Sequence, residues 1–163
     1  MGGIEAPCSK LRDLRSLLDL ANTEEEYHME AMNKFVQQDE YARHIGVEIL
    51  DYGRGTARAR MDVGKHHRNS AGMVHGGAIF SLADAVFSIA SNSHGTLAVA
   101  INVSISFFKA AAGGTLFAQA EEVSFNPKLA TYLITVTDDA GNKIALFQGT
   151  VYRKKDSIAD IVK

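Results

Sequence analysis

Hydrophobic positions change period three times along this chain, and the changes divide it into regions. Within residues 9–21, Leu11, Leu14, Leu17, Leu18 and Ala21 recur at helical spacing and predict a short amphipathic helix. Thr23 followed by Glu26 reads as a capping box opening a second helix over 24–38, with Glu24 to Glu26 complementing its dipole. Tyr27, Ala31, Phe35 and Val36 form the expected inner face of that helix. From Gly46 the period falls to two. Val47, Ile49 and Tyr52 lead into a Gly53-Arg54-Gly55 turn, after which Ala57, Ala59, Met61 and Val63 alternate with Arg58, Arg60 and Asp62. This predicts a hairpin.

The helical period returns over residues 76–92, where Ile79, Phe80, Leu82, Ala83, Val86, Phe87, Ile89 and Ala90 leave almost no polar face. Such a helix must be buried. A strand follows, with Val99, Ile101, Val103, Ile105 and Phe107 expected on one face and Ala100, Asn102, Ser104 and Ser106 on the other. Three more strands are predicted at 115–125, 131–138 and 143–153, the last two joined by the turn 138–142. Long neighbouring strands joined by short turns pair antiparallel. An antiparallel sheet wrapped around one long central helix accounts for both patterns, an α+β fold. The expected division is a helical extension (1–44) packed on the same domain, a sheet-and-helix domain (45–155) and a short tail (156–163).

Composition narrows this picture a little. The 163 residues suffice for one domain with a proper core. A formal net charge of −2, with 46% hydrophobic and 22% charged residues, gives no general drive toward nucleic acid or membrane. The single Cys8 excludes an internal disulfide and suits a reducing compartment. No charged and then apolar leader opens the chain, and the longest apolar stretch, 71–90, contains His75 and Asp84. The expectation is a cytoplasmic protein with neither nucleic acid nor membrane as a partner.

The candidate chemistry lies within residues 69–87. Asp84 interrupts an otherwise oily helix, where burying a charge costs several kcal/mol. Ser81 and Ser88 share its face. Asp84 is thus either a structural polar group at an exposed edge, or a catalytic carboxylate whose pKa rises by desolvation. His75-Gly76-Gly77 opens the same helix, where unpaired backbone N–H groups can hold an oxyanion. Preorganised donors of this kind contribute about 3–4 kcal/mol to a transition state. Asn69 and His75 flank the loop as hydrogen-bonding groups, either bracing it or taking part in the reaction. A carboxylate beside an oxyanion site is the layout of an acyl-transfer enzyme.

Other chemistries find no support in the sequence. There is no Gly-x-Ser-x-Gly elbow, and Cys8 lies close to the start of the chain. His66 and His67 are adjacent and cannot share a face as ligands would, so no metal site is expected. Neither the dinucleotide nor the phosphate-loop glycine pattern occurs.

The segments Asn69-x-x-Gly72-x-x-His75-Gly76-Gly77, Phe80-x-Leu82-Ala83-Asp84, Asn92-x-x-Gly95 and Ala98-Val99 resemble the hotdog-fold acyl-CoA thioesterases, above all the phenylacetate-degradation type. The resemblance runs from about Gly46 to Arg153. It implies hydrolysis of an aromatic acyl-CoA such as phenylacetyl-CoA, or of a medium-chain one. It also implies Asp84 as nucleophile or general base, the Gly76 N–H as oxyanion donor and Gly77 shaping the turn. Asn69 would orient the water or the carboxylate, and His75 would brace the loop. In the family the carboxylate works against the loop of a second subunit, which implies a homodimer, commonly paired into a homotetramer. No separate cofactor is implied, since coenzyme A is part of the substrate.

Further substrate contacts are expected from Ser81, Ser88 and Phe80, with Phe87, Phe107, Phe108 and Met73 as other candidates for the acyl pocket. Some relatives carry a Ser or Thr where Ala100 stands, and Asn102 and Ser104, expected on the same strand face, are the polar candidates to replace it. Lys109 and Lys128, with Arg153 and Lys154, are the candidates for CoA phosphates. Two other functions on the same fold would need different residues. An enoyl-thioester hydratase or dehydratase needs a His with Asp or Glu from a different motif. A non-catalytic acyl-CoA sensor would keep the pocket and lose the carboxylate.

Overall fold

The computed structural model describes residues 8–162. Helix α1 (Cys8–Gln37) and the short α2 (Glu40–His44) precede the hairpin of β1 (Val47–Gly53) and β2 (Thr56–Asp62). The central helix α3 (Gly76–Asn92) follows, then β3 (Thr96–Phe107), β4 (Thr115–Phe125), β5 (Leu129–Thr137), β6 (Lys143–Ser157) and a final turn of helix, α4 (Ile158–Ile161). The six strands form one antiparallel sheet in the order β1-β2-β4-β5-β6-β3. The α+β reading holds, and so does the wrapping of the sheet around α3. Among the described residues no helix is long and apolar enough to cross a membrane.

Sheet and helix meet through alternation. Ala57 and Ala59 of β2 pair with Ala120 and Ala118 of β4, and all four are buried. These small side chains make a shallow trough, and Leu82, Val86 and Phe87 of α3 fill it, fully buried with Ile134 and Phe147. Each such side chain contributes about 1.5–3 kcal/mol by leaving water. Gly149 of β6 is required here: a Cβ at that position would stand 2.5 Å from the Phe87 ring.

Three expectations need correction. The two predicted N-terminal helices are one, because no residue between them breaks the backbone ladder. The Thr23 hydroxyl, instead of capping a new helix, donates to the Leu20 carbonyl one turn back, at 2.7 Å. Tyr27 is exposed, and the buried face of α1 is carried by Ala31 and Met32 against Ile158 and Val162 from the C-terminal turn.

The third correction concerns β3. Its alternation is interrupted by a bulge between Ala100 and Asn102. Ala100 pairs with the buried Val151, whereas after the bulge Val103 and Ile105 pair with Gly149 and Phe147. An extra residue shifts every later side chain to the other face. Val99 therefore does not share a face with Val103, and Ile101 is exposed. Strand β3 has β6 on one side only, so a long, partly apolar edge is left open.

Candidate active site

The loop before α3 is built from its own backbone. Asn69 Oδ1 accepts the N–H groups of Ala71 (2.9 Å) and Met73 (3.1 Å), and its main chain bonds Met73 and Gly72. Asn69 therefore shapes the loop; its carbonyl oxygen is committed. His67 is buried behind it, with Nδ1 accepting from the Gly64 N–H and Nε2 donating to the Ile45 carbonyl. Desolvation, then the neighbouring His66, holds the His67 pKa below the ordinary imidazole value, so the ring stays neutral. Its own carbonyl accepts the His75 N–H at 2.7 Å.

His75 is the N-cap of α3, and its Nδ1 accepts the Gly77 N–H at 2.8 Å. This leaves one open donor rather than two. Among the described residues the Gly76 N–H has no acceptor, while Ala78 and Ile79 bond the His75 carbonyl. The Phe107 ring covers this point, and a Cβ at Gly76 would lie 3.3 Å from it. A ligand oxygen reaching the first turn of α3 would meet one unpaired N–H backed by the helix dipole.

Asp84 lies two turns further along, and it is exposed rather than buried. The face formed by Ser81, Asp84 and Ser88 turns away from the sheet, so in the single chain it meets solvent and α2 instead of the core. Packing nevertheless raises the Asp84 pKa above the ordinary carboxylate value, by desolvation first and by the charge of Asp39 second. Tyr41 on α2 places its hydroxyl 3.0 Å from Ser81 Oγ. Ser91, one turn beyond Ser88, is buried and bonds the Ser88 carbonyl. Asp39 and Tyr41 were not singled out from the sequence, because a five-residue helix shows no periodicity to read.

The remaining predicted residues are dispersed. Phe80 is half-buried, with its ring against Phe147 at 5.4 Å between centroids, and Phe87 is a core residue. Asn102 pairs with Thr150 beyond the bulge, so it faces the outer side of the sheet, away from α3 and from the face of Ala100. It cannot stand in for a hydroxyl at Ala100. Lys109 follows the end of β3 and lies 4.0 Å from Asp138. Lys128 lies in the β4–β5 turn, where its carbonyl accepts the Arg153 N–H. Lys109 sits beside Ile144 and Lys128 beside Arg153, so nine residues of β6, roughly 30 Å, separate the two lysines. A concavity of about 620 Å³ between Leu50, Phe117, Leu133 and Leu146 occupies the outer sheet face and contains none of these residues. Among the described residues no cluster of three His, Cys, Asp or Glu side chains is placed to hold a metal.

Residues 71–145 match the Thioesterase superfamily. The acyl-coenzyme A thioesterase PaaI of Escherichia coli is 34% identical over 118 residues, covering 72% of this chain and 84% of the relative. The chain belongs to the thioesterase superfamily. It is a hotdog-fold, PaaI-like member, and its class is that of a thioester hydrolase. A provisionally named esterase of Archaeoglobus fulgidus is 49% identical over 72% of this chain and 77% of its own length. The solved E. coli PaaI structure superimposes with a TM-score of 0.77 at 30% identity, covering 81% of this chain and 96% of that one. A Streptococcus mutans protein solved with acetyl CoA gives 0.66 at 25% identity, over 69% and 91% of the two chains.

Proposed function

We propose that this thioesterase hydrolyses aromatic or medium-chain acyl-CoA, and that it works as a homodimer whose sites each combine residues of two subunits. The observation that carries the reading is the separation of its two reactive groups along one rigid helix. Gly76 and Asp84 are eight residues apart, about 12 Å along the axis of α3. A thioester carbonyl held at the Gly76 N–H is out of reach of Asp84 in the same chain. The open edge of β3 supports the completion of the site by a second copy. Antiparallel pairing of two such edges sets two α3 helices side by side in opposite directions, with one subunit's Asp84 facing the partner subunit's Gly76.

In that arrangement the Gly76 N–H polarises the carbonyl. Asp84 takes a proton from the attacking water, or attacks the carbonyl carbon itself, and negative charge collects on the oxygen at Gly76. Collapse of the tetrahedral adduct breaks the C–S bond, giving the free acid directly in the water route or an Asp84 acyl anhydride that water then hydrolyses, restoring the carboxylate. The thiolate leaves readily, since a thiol pKa is near 8.5. No strong general acid and no resident cofactor are then required; coenzyme A arrives with the substrate. The same pairing brings Lys109 of one subunit toward the partner subunit's Lys128, which makes that region the candidate for the CoA phosphates.

The test is thiol release from a panel of acetyl-, octanoyl-, phenylacetyl-, benzoyl- and palmitoyl-CoA. Asp84→Asn is expected to lower kcat by about 10²–10⁴-fold with the fold intact. Unchanged turnover would remove Asp84 from the mechanism, and a strict preference for palmitoyl-CoA would overturn the acyl class.

A further inference from the structure

The elbow between α1 and α2 encloses a cavity that the catalytic loop does not touch. About 210 Å³ in volume, it lies between Phe35 and Val36 of α1, Ala42 of α2, Val47 and Ile49 of β1, and Ile89 of α3. Its polar members include Ser88 and Asp39. Ser88 is one turn beyond Asp84 on the same face of α3. Asp39 is close enough to Asp84 to raise its pKa. The cavity therefore opens beside the carboxylate.

The walls are held in place. Asp39 caps α2 by accepting the Ala42 N–H at 2.9 Å, and its own N–H bonds the Val36 carbonyl. Tyr41 fixes α2 over the polar face of α3 through Ser81. The elbow lies outside residues 71–145, the segment that matches the superfamily.

We propose that this cavity receives the acyl group of the thioester and sets which acids the enzyme releases. The assignment rests on the hydrolase reading above and adds the residues that choose the substrate. An apolar cavity of 150 Å³ is known to hold one benzene ring. A space of 210 Å³ suits a single ring with a short methylene link, or a chain of about six to eight carbons. Each buried methylene is worth about fourfold in kcat/KM. Rates should climb from acetyl- to octanoyl-CoA and then stop climbing.

Val36→Phe fills the cavity from α1, and Ala42→Phe fills it from α2. Both are compared with wild type in thiol release from acetyl-, octanoyl- and phenylacetyl-CoA, with a thermal melt to confirm folding. The ratio of kcat/KM for octanoyl- over acetyl-CoA is expected to fall at least tenfold in each. Phe35→Ala, which enlarges the space, is expected to move the optimum to longer chains. A ratio within twofold of wild type in both filled variants would overturn the pocket while leaving the hydrolase standing. If wild type splits none of the esters, the hydrolase reading fails separately. Calorimetric binding of octanoyl-CoA then decides the pocket: weakening by tenfold in Val36→Phe supports it, and equal affinity overturns it.

Discussion

The two ends of α3 are built by opposite rules. At its C-terminal end the side chains of Ser91, Asn92 and Ser93 are all tied. Asn92 accepts the Ala98 N–H at 2.8 Å through Oδ1 and donates to the Ser88 carbonyl at 2.9 Å through Nδ2. Ser93 donates to the Ala90 carbonyl and accepts the Gly55 N–H, and His28 donates to the Ser93 carbonyl. At the N-terminal end Asn69, His67 and His75 spend their side chains on the loop, and one main-chain donor is left over. The closed end fixes where the helix sits, and the open end is where a ligand can gain something. Buried polar groups without partners are costly, so a deliberate vacancy belongs at the surface of a site.

The comparison can be broken first at the open end. Proline is well tolerated at the first position of a helix and removes the N–H. His75 already has the extended backbone, φ −66° and ψ 135°, that a following proline demands. Gly76→Pro is expected to keep the fold and lower kcat by about 10²–10³-fold. Gly76→Ala brings the same Cβ near the exposed Phe107 ring but retains the N–H, so its loss should be much smaller. Equal losses in the two would mean that the ring contact, and not the donor, matters. Mixing Gly76→Pro with Asp84→Asn subunits should restore part of the activity, because one site per mixed dimer is whole.

At the closed end the expected effect is on stability. Asn92→Ala orphans the Ala98 N–H, while the Ser88 carbonyl keeps its bond from Ser91, and should cost about 2–3 kcal/mol. Thermal unfolding would report this as a Tm lower by roughly 5–10 °C, with kcat per folded molecule little changed. An unaltered Tm would show that the end is not held by this residue.

The smallest effect concerns Asp84. Desolvation and the Asp39 charge both raise its pKa, and the proposed reaction uses the ionised form. Activity should therefore rise with pH through an acidic limb. Asp39→Asn removes a like charge, lets Asp84 ionise at lower pH and moves that limb downward. A limb that stays in place would leave desolvation as the sole cause.

Much of this was legible in the sequence. The apolar run 76–92, the hairpin at 53–55, and the carboxylate and glycines of the loop carry periodicity or chemistry that local rules read. What failed was decided by partners distant in sequence. The residues Val99, Ile101, Val103, Ile105 and Phe107 alternate without a flaw, and only pairing with β6 forces the bulge that turns Asn102 outward. Thr23 and Glu26 satisfy a capping pattern, yet a bond to Leu20 lets the helix run through. Asp39 and Tyr41 gain their place beside Asp84 and Ser81 only when the elbow folds onto α3.

The small cluster that clasps α1 to the last turn of the chain has its own consequence. Met32 and Ala31 are buried by Ile158 and Val162, and Phe35 packs against the same group. One wall of the proposed acyl chamber thus hangs from α4 and Val162, away from Asp84 and the glycine loop. Drift in those final residues would widen or narrow the diet of the enzyme before it dulled its bite.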